Sequence, residues 1–285
     1  MRVQFEHISA SLDRSFNFRT FCLPAFDGAY HYHPEYELTL IVHSSGKRFV
    51  GNDIAEFQAG DLVLIGPNLP HCWKNDDSVP NHQAESVVIQ FREDFLGADF
   101  FQKPEMADIA RLLQKSAAGI VFSGAVQSRI GREMQMLGKM PPFQQLLSLL
   151  DILDTLAHAD EYRLLNETVW LGALSQSDSE RINKVYAYLV ENFRQDIDLN
   201  HAAEAIYMTP TAFCRYFKRM TKKTFFDVVT EYRVRYASQL LVNHPDKSVT
   251  EVCFESGFGN VSHFNKQFKT VTNFTPLHYR KAFEQ

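Results

Sequence analysis

The chain has 285 residues, 45% of them apolar and 22% charged, which excludes a disordered polymer and leaves room for two packed domains of about 100–200 residues each. Its net charge of −5 speaks against nucleic-acid binding until its distribution is considered. Residues 178–285 carry 15 basic and 12 acidic side chains (+3), and residues 1–177 carry 14 and 22 (−8), as a sensor joined to a DNA reader would.

Arg2, Glu6, Asp13, Arg14 and Arg19 interrupt the first thirty residues, and there is no twenty-residue apolar run. Neither a signal peptide nor a membrane span is expected. The dispersed Cys22, Cys72, Cys214 and Cys253 read as free thiols of a cytoplasmic protein. Up to about Phe91 the chain reads as short strands: Tyr36 to Val42, Lys47 to Val50, Leu62 to Ile65 and Ser86 to Phe91, separated by turn-rich breaks such as Gly51-Asn52-Asp53 and Gly66-Pro67-Asn68. That spacing predicts an antiparallel sandwich or barrel over residues 1–92.

A helical extension follows over 93–174. Pro104 opens one helix, Ala125 to Leu137 forms a second, and Pro141-Pro142 starts a third. In the third, Phe143, Leu146, Leu147, Leu150, Leu153 and Leu156 repeat at helical spacing. This stripe suits either packing on the barrel or a dimer seam. Ser175 to Ser179 is polar and turn-rich, so residues 175–180 read as a linker.

Residues 181–285 read as wholly helical. A helix from about Glu180 to Phe193 precedes one that Asp198 can cap. Thr209 caps a third, with Pro210 at its first position. Phe213 and Phe217 point inward, while Thr211, Cys214, Arg215, Lys218 and Arg219 share the other face. A short helix, a tight turn and a second helix with a basic face make a helix-turn-helix, whose second helix can enter the major groove. The unit recurs: Ser248 caps a helix, Gly257 sits at the turn, and a further helix buries Phe264 and Phe268 and presents Val261, Ser262, Lys266 and Lys269. Between the units runs one helix from Phe225 to about Val242. Its length of about 27 Å would let the two reading helices meet successive major-groove segments about 34 Å apart.

The run from Ser248 to Lys269, ending in Thr275-Pro276-Leu277-His278-Tyr279-Arg280, closely resembles the signature of bacterial AraC-type (AraC/XylS) transcription regulators, over about residues 180–283. The resemblance implies a tandem helix-turn-helix domain, double-stranded DNA as partner, a small-molecule effector and a homodimer. It assigns base contacts to Thr211, Cys214 and Arg215 in the first reading helix and to Val261, Ser262 and Lys266 in the second, with Lys218 alongside. Tyr207, Lys222 and Asn273 stand where the family often has glycine. Asn tolerates a left-handed backbone, whereas Tyr207 and Lys222 would be strained there. Cys214 and Val261 cannot make bidentate base contacts, which shifts recognition toward Arg215, Lys266 and thymine methyls.

The N-terminal half has its own constellation. His31-Tyr32-His33-Pro34-Glu35-Tyr36-Glu37 spells HxHxxxE, and His71 follows some thirty-five residues later. Even spacing puts His31, His33 and Glu37 on one face of a strand, with His71 on a neighbour. Such a set can hold a divalent metal, although none is required for DNA binding. The pattern resembles the two metal motifs of cupins over about residues 20–92, with the second motif one residue short and lacking its glycine. The resemblance implies an effector pocket of His31, His33, Glu37, His71, Tyr36 and Trp73. The family resemblance implies a sugar or another small polar molecule as effector, and Trp73 and Tyr36 could stack on a sugar face. The expected fold is therefore α+β and multidomain: a cupin-like barrel with a helical extension, then an all-α tandem helix-turn-helix. The same histidines also admit a metal-dependent cupin enzyme, a dioxygenase or isomerase, with a helical appendage. No GxGxxG, Walker loop or HExxH supports other chemistry.

Overall fold

The computed structural model describes residues 4–6, 14–26, 30–75, 83–166 and 176–283. Contacts divide the chain into two compact units: Gln4–Gly51 with Phe57–Leu174, and Ser175–Gln285 with Asn52–Glu56.

The described strands form two sheets. One runs in the order β1 (Gln4–Phe5), β3 (His31–Tyr32), β8 (His71–Lys74), β5 (Gly46–Val50), β6 (Asp53–Phe57). The other runs β11 (Tyr162–Leu164), β10 (Ile120–Phe122), β7 (Leu62–Ile65), β4 (Tyr36–His43), β9 (Ala84–Phe91), β2 (Asn17–Leu23). Strands β4 and β9 pair antiparallel, with Glu37 opposite Gln90, Thr39 opposite Val88 and Ile41 opposite Ser86. Successive side chains on a strand point to opposite faces. Tyr36, Leu38, Leu40, Val87, Ile89 and Phe91 accordingly enter one hydrophobic core, and the alternate residues line a cavity.

The core is completed by three helices, α1 (Ala107–Lys115), α2 (Gly124–Leu137) and α3 (Pro142–Ala157). They contribute Ile109, Leu112, Ile130, Met134, Leu149 and Ile152, among others. Each such side chain adds about 1.5–3 kcal/mol when fully buried. The helical extension is thus continuous with the sheets, and it lends them β10 and β11 as well. These two strands escape a sequence reading because each has three residues, too few to show a period. The α3 stripe divides. Leu149, Ile152, Leu153 and Leu156 are buried, while Phe143 and Leu147, one turn apart, are 69% and 51% exposed.

The second unit is helical: α4 (Gln176–Asn192), α5 (Leu199–Glu204), α6 (Pro210–Thr221), α7 (Phe225–Asn243), α8 (Val249–Glu255), α9 (Val261–Thr272) and α10 (Pro276–Phe283). Helix α4 starts at Gln176, so residues 176–180 are helical and not linker. Asp178 sits in its first turn, where a carboxylate suits the helix dipole. Ser175 lies outside the described residues. The expected caps are in place: Asp198, Thr209 and Ser248 each accept a backbone N–H of the first turn. Helix α7 buries nine side chains, from Phe225 to Leu241, on more than one side because the helices of both reading units pack against it. Two arginines tie helix ends together. Arg233 donates to the carbonyls of Phe193 and Gln195 at 2.6 and 2.7 Å. Arg280 donates to those of Leu241 and Lys247 at 3.2 and 2.6 Å. Both supply donors to carbonyls that helix termini leave without partners. No helix among the described residues is long and apolar enough to cross a membrane.

The turns of the two reading units differ in strain. Tyr207 has φ +57° and Lys222 and Asn273 have φ +61° and +64°, as the missing glycines lead one to expect. Gly257 has φ +85°, and a Cβ there would sit 2.7 Å from the Phe193 carbonyl oxygen. Two substitutions should therefore act with opposite signs. Tyr207, 92% exposed, loses only strain on Tyr207→Gly, which should stabilise by roughly 0.5 kcal/mol. Gly257→Ala should destabilise by about 2 kcal/mol or more. Urea unfolding of the full chain checks both, and like-signed shifts would contradict the strain argument.

Candidate functional site

Two regions carry chemistry. In the helical unit, α6 buries Phe213, Tyr216 and Phe217 and leaves Thr211, Cys214, Arg215, Lys218 and Arg219 exposed. Phe213 and Phe217 hold the inner face by stacking at 5.6 Å and by edge contacts to Phe225. In α9, Phe264 and Phe268 do the same work. Ser262, Lys266 and Lys269 are exposed there, while Val261 is half-buried. The Asn260 side chain caps α9 by accepting the His263 N–H at 3.0 Å. Two capped helices thus each present a polar, basic outer face from corresponding places in their units.

In the first unit a cavity of about 320 Å³ opens between the sheets, lined on one side by Glu37, Thr39 and Ile41 of β4 and by Ser86, Val88 and Gln90 of β9. His31, Glu6, Trp73, Phe21, Leu23 and Phe26 form other walls. His31, His33, Glu37 and His71 converge, with one ligand atom of each within 4.8 Å of all the others. The route to convergence differs from the one expected. His31 lies on β3 and His33 just beyond its end, the chain crosses between the sheets at Pro34-Glu35, and Glu37 lies on β4. His31 is directly opposite His71 in the β3–β8 pair.

Glu37 is the hub. Its Oε2 accepts from Gln90 Nε2 at 2.7 Å and lies 3.0 Å from His33 Nε2. Its Oε1 accepts from Thr39 at 2.6 Å. Burial alone would push its carboxyl up, but the charge of His71 and the His33 hydrogen bond hold it well below the usual carboxylate range. His71 Nδ1 is 2.8 Å from the Leu69 carbonyl, to which it donates. Nε2 then faces Glu37 Oε1 at 3.4 Å. His71 Nε2 and His33 Nδ1 are buried without hydrogen-bond partners. Once the facing nitrogens give up their protons, these imidazoles beside a carboxylate, with the far nitrogen of His71 fixed by a carbonyl, make a donor set that fits a divalent cation. An ion about 2.0–2.2 Å from each ligand needs ligand pairs no more than about 4.3 Å apart, a spacing close to the 4.8 Å within which these four atoms lie.

Trp73 is held from behind. Asp61 accepts from its Nε1 at 3.3 Å and from Arg48 Nη1 at 2.5 Å. Tyr36 is a correction: it does not line the cavity. It stacks on Phe91 at 5.4 Å within the helix-facing core, because it is one residue from Glu37 and strand parity turns it to the opposite face. His33 and His71 lie behind the wall, 1% and 0% exposed. The lining residues that sequence reasoning missed include Thr39, Ser86 and Gln90 on β4 and β9, with Phe21 and Phe26. The signal for the first three is a polar residue sharing strand parity with Glu37 or with its cross-strand partner inside an otherwise apolar run.

A helix-turn-helix domain profile matches residues 202–282. An uncharacterized HTH-type transcriptional regulator of Bacillus subtilis, YdeC, is 37% identical over 103 residues, 36% of this chain. The match takes in 35% of that relative's length. The HTH-type transcriptional activator RhaS of Salmonella schwarzengrund is 23% identical over 260 residues, covering 88% of this chain and 87% of that one. The solved DNA-binding domain of AdpA, in complex with a target DNA, is 27% identical over 36% of this chain and 92% of its own, with a TM-score of 0.34. Residues 202–282 thus match a helix-turn-helix domain, in keeping with two capped helix-turn-helix units on one central helix, and over most of its length the chain is similar to an HTH-type transcriptional activator.

Proposed function

We propose that the protein is an effector-responsive, sequence-specific DNA-binding transcription regulator. The observation that carries this is the matched pair of basic outer faces on α6 and α9, each on the second helix of its unit. Arg215 reads a guanine edge, Thr211 and Cys214 contact neighbouring bases, and Lys218 takes phosphate. In α9, Ser262 and Lys266 reach the groove. Val261, half-buried, offers at most an apolar contact to a thymine methyl. The cavity of the first unit takes the effector, which acts by binding two arrangements of the protein unequally. A homodimer belongs to this reading, supported by the exposed Phe143 and Leu147 of α3.

A divalent metal held by His31, His33, Glu37 and His71 is the second part. Its support is the convergence of one ligand atom from each of the four residues within 4.8 Å of the others. When bound, the ion would offer a Lewis-acidic coordination position to an oxygen of the effector.

Arg215→Ala should lower affinity for a genuine operator by about 1–3 kcal/mol and relax preference at one base pair. Lys218→Ala should weaken binding to all sequences and reduce the salt slope by about one. Gel shifts over a salt series check both, and an equal loss on random DNA for Arg215→Ala would contradict base reading. Metal analysis after reconstitution should find about one equivalent per chain, lost in His71→Ala. Uptake that His71→Ala leaves unchanged would count the ligand set out. Phe143→Glu with Leu147→Glu should shift the sedimentation coefficient to that of a monomer, and a shape unchanged by both would remove α3 from the seam.

A further inference from the structure

Along the cavity floor, polarity changes in register. Glu37 is opposite Gln90, Thr39 opposite Val88, and Ile41 opposite Ser86. Strand β2 extends the series, with Phe21 opposite Ser86 and Leu23 opposite Ala84. The first rung is a carboxylate and an amide, close to His31. The last is hydrocarbon, and Phe26 is also in the lining. Glu37 and Ile41 are four residues apart, so this change from ionic to apolar takes about 13 Å of strand.

Such a gradient selects against a polyol. A sugar carries hydroxyls around its whole ring, and one filling this cavity would bury several against Phe21, Ile41 and Phe26, where Ser86 is the polar neighbour. Buried hydroxyls without partners are costly. An apolar body placed there gains by leaving water. The polar end is acidic: Glu37, and Glu6, which is 3.3 Å from His31 Nε2 and 3.6 Å from Arg19 Nη1. A bare anionic head would meet like charge. An anion on a cation held by the histidines would not.

We propose that the effector is a small amphipathic acid, its carboxylate on the metal at the His31–Glu37 end and an aryl or short alkyl body against Phe21, Ile41, Val88 and Trp73. This differs from the sugar or other small polar molecule that the family resemblance implies, and the experiment below decides between them. The proposal rests on the effector and metal readings above.

Calorimetry on the full, manganese-loaded chain tests it, with acetate through octanoate, phenylacetate and glucose as probes. Affinity should rise about fourfold per added methylene, the transfer value of a buried CH₂ expressed as a ratio, until the cavity is full. Glucose should give no saturable heat. Phe21 is half-buried on the edge strand β2, so Phe21→Gln should flatten the series with little change at its short end. Ser86→Val should tighten octanoate. Glucose binding as tightly as the acids, a series flat in chain length, or no binding by any acid overturns the proposal. Equal acid binding after chelation overturns the metal-held head and leaves the amphipathic class standing. Operator gel shifts run in parallel separate either failure from failure of the regulator reading.

Discussion

Strands β4 and β9 are buried on both faces, and the first unit is organised by that constraint. One face must be hydrocarbon to hold α1, α2 and α3. The other must remain free of large apolar groups at one end for a cavity and a carboxylate to exist. A slip of one residue in their pairing would place Glu37 in the helix-facing core and Leu38 in the cavity. The buried hydrogen bonds from Gln90 and Thr39 to Glu37 oppose that slip, since each donor would then lose its acceptor. Register and site chemistry are fixed by the same contacts.

Much of this was legible in the residues. The strands at Tyr36, Lys47, Leu62 and Ser86, the helices after Pro104 and Pro142, and the caps Asp198, Thr209 and Ser248 all follow from local rules acting within a few residues. What was hidden is non-local. Strand β2 has exposed and half-buried residues without alternation, so no period marks it. The convergence of His31 and His33 with Glu37 depends on a crossover between sheets, although equal spacing along one strand suggests the same set. Tyr36 was misplaced because its chemistry, a ring able to stack, outweighed its parity. Trp73 is in the wall, but its orientation depends on Asp61 and Arg48, which no spacing connects to it.

The two reading units share one plan and are unequal in execution. The second has a glycine turn that tolerates no side chain, and a capping box at Ser248 and Glu251. The first holds Tyr207 in a left-handed backbone and carries more basic charge on its outer face. Turn strain and exposed basic charge are thus distributed differently between the halves. Helix α7 joins them through its buried sides, and Arg233 and Arg280 tie its neighbours to its length.

Strand β10 pairs with β7 through Ile120, Val121 and Phe122, and β11 closes the edge of β10. Asn166, buried just beyond, donates to the carbonyls of Val50 and Ala118 at 3.1 and 3.0 Å. The N-terminal unit is therefore stitched shut only by its last described residues. For a gene that evolves by exchanging parts, this leaves few workable joints. A recombination point near residue 92 would leave β7 with an open edge and strip the core of its helices. One placed after Asn166 would pass on the whole cavity-bearing unit to another reader of DNA.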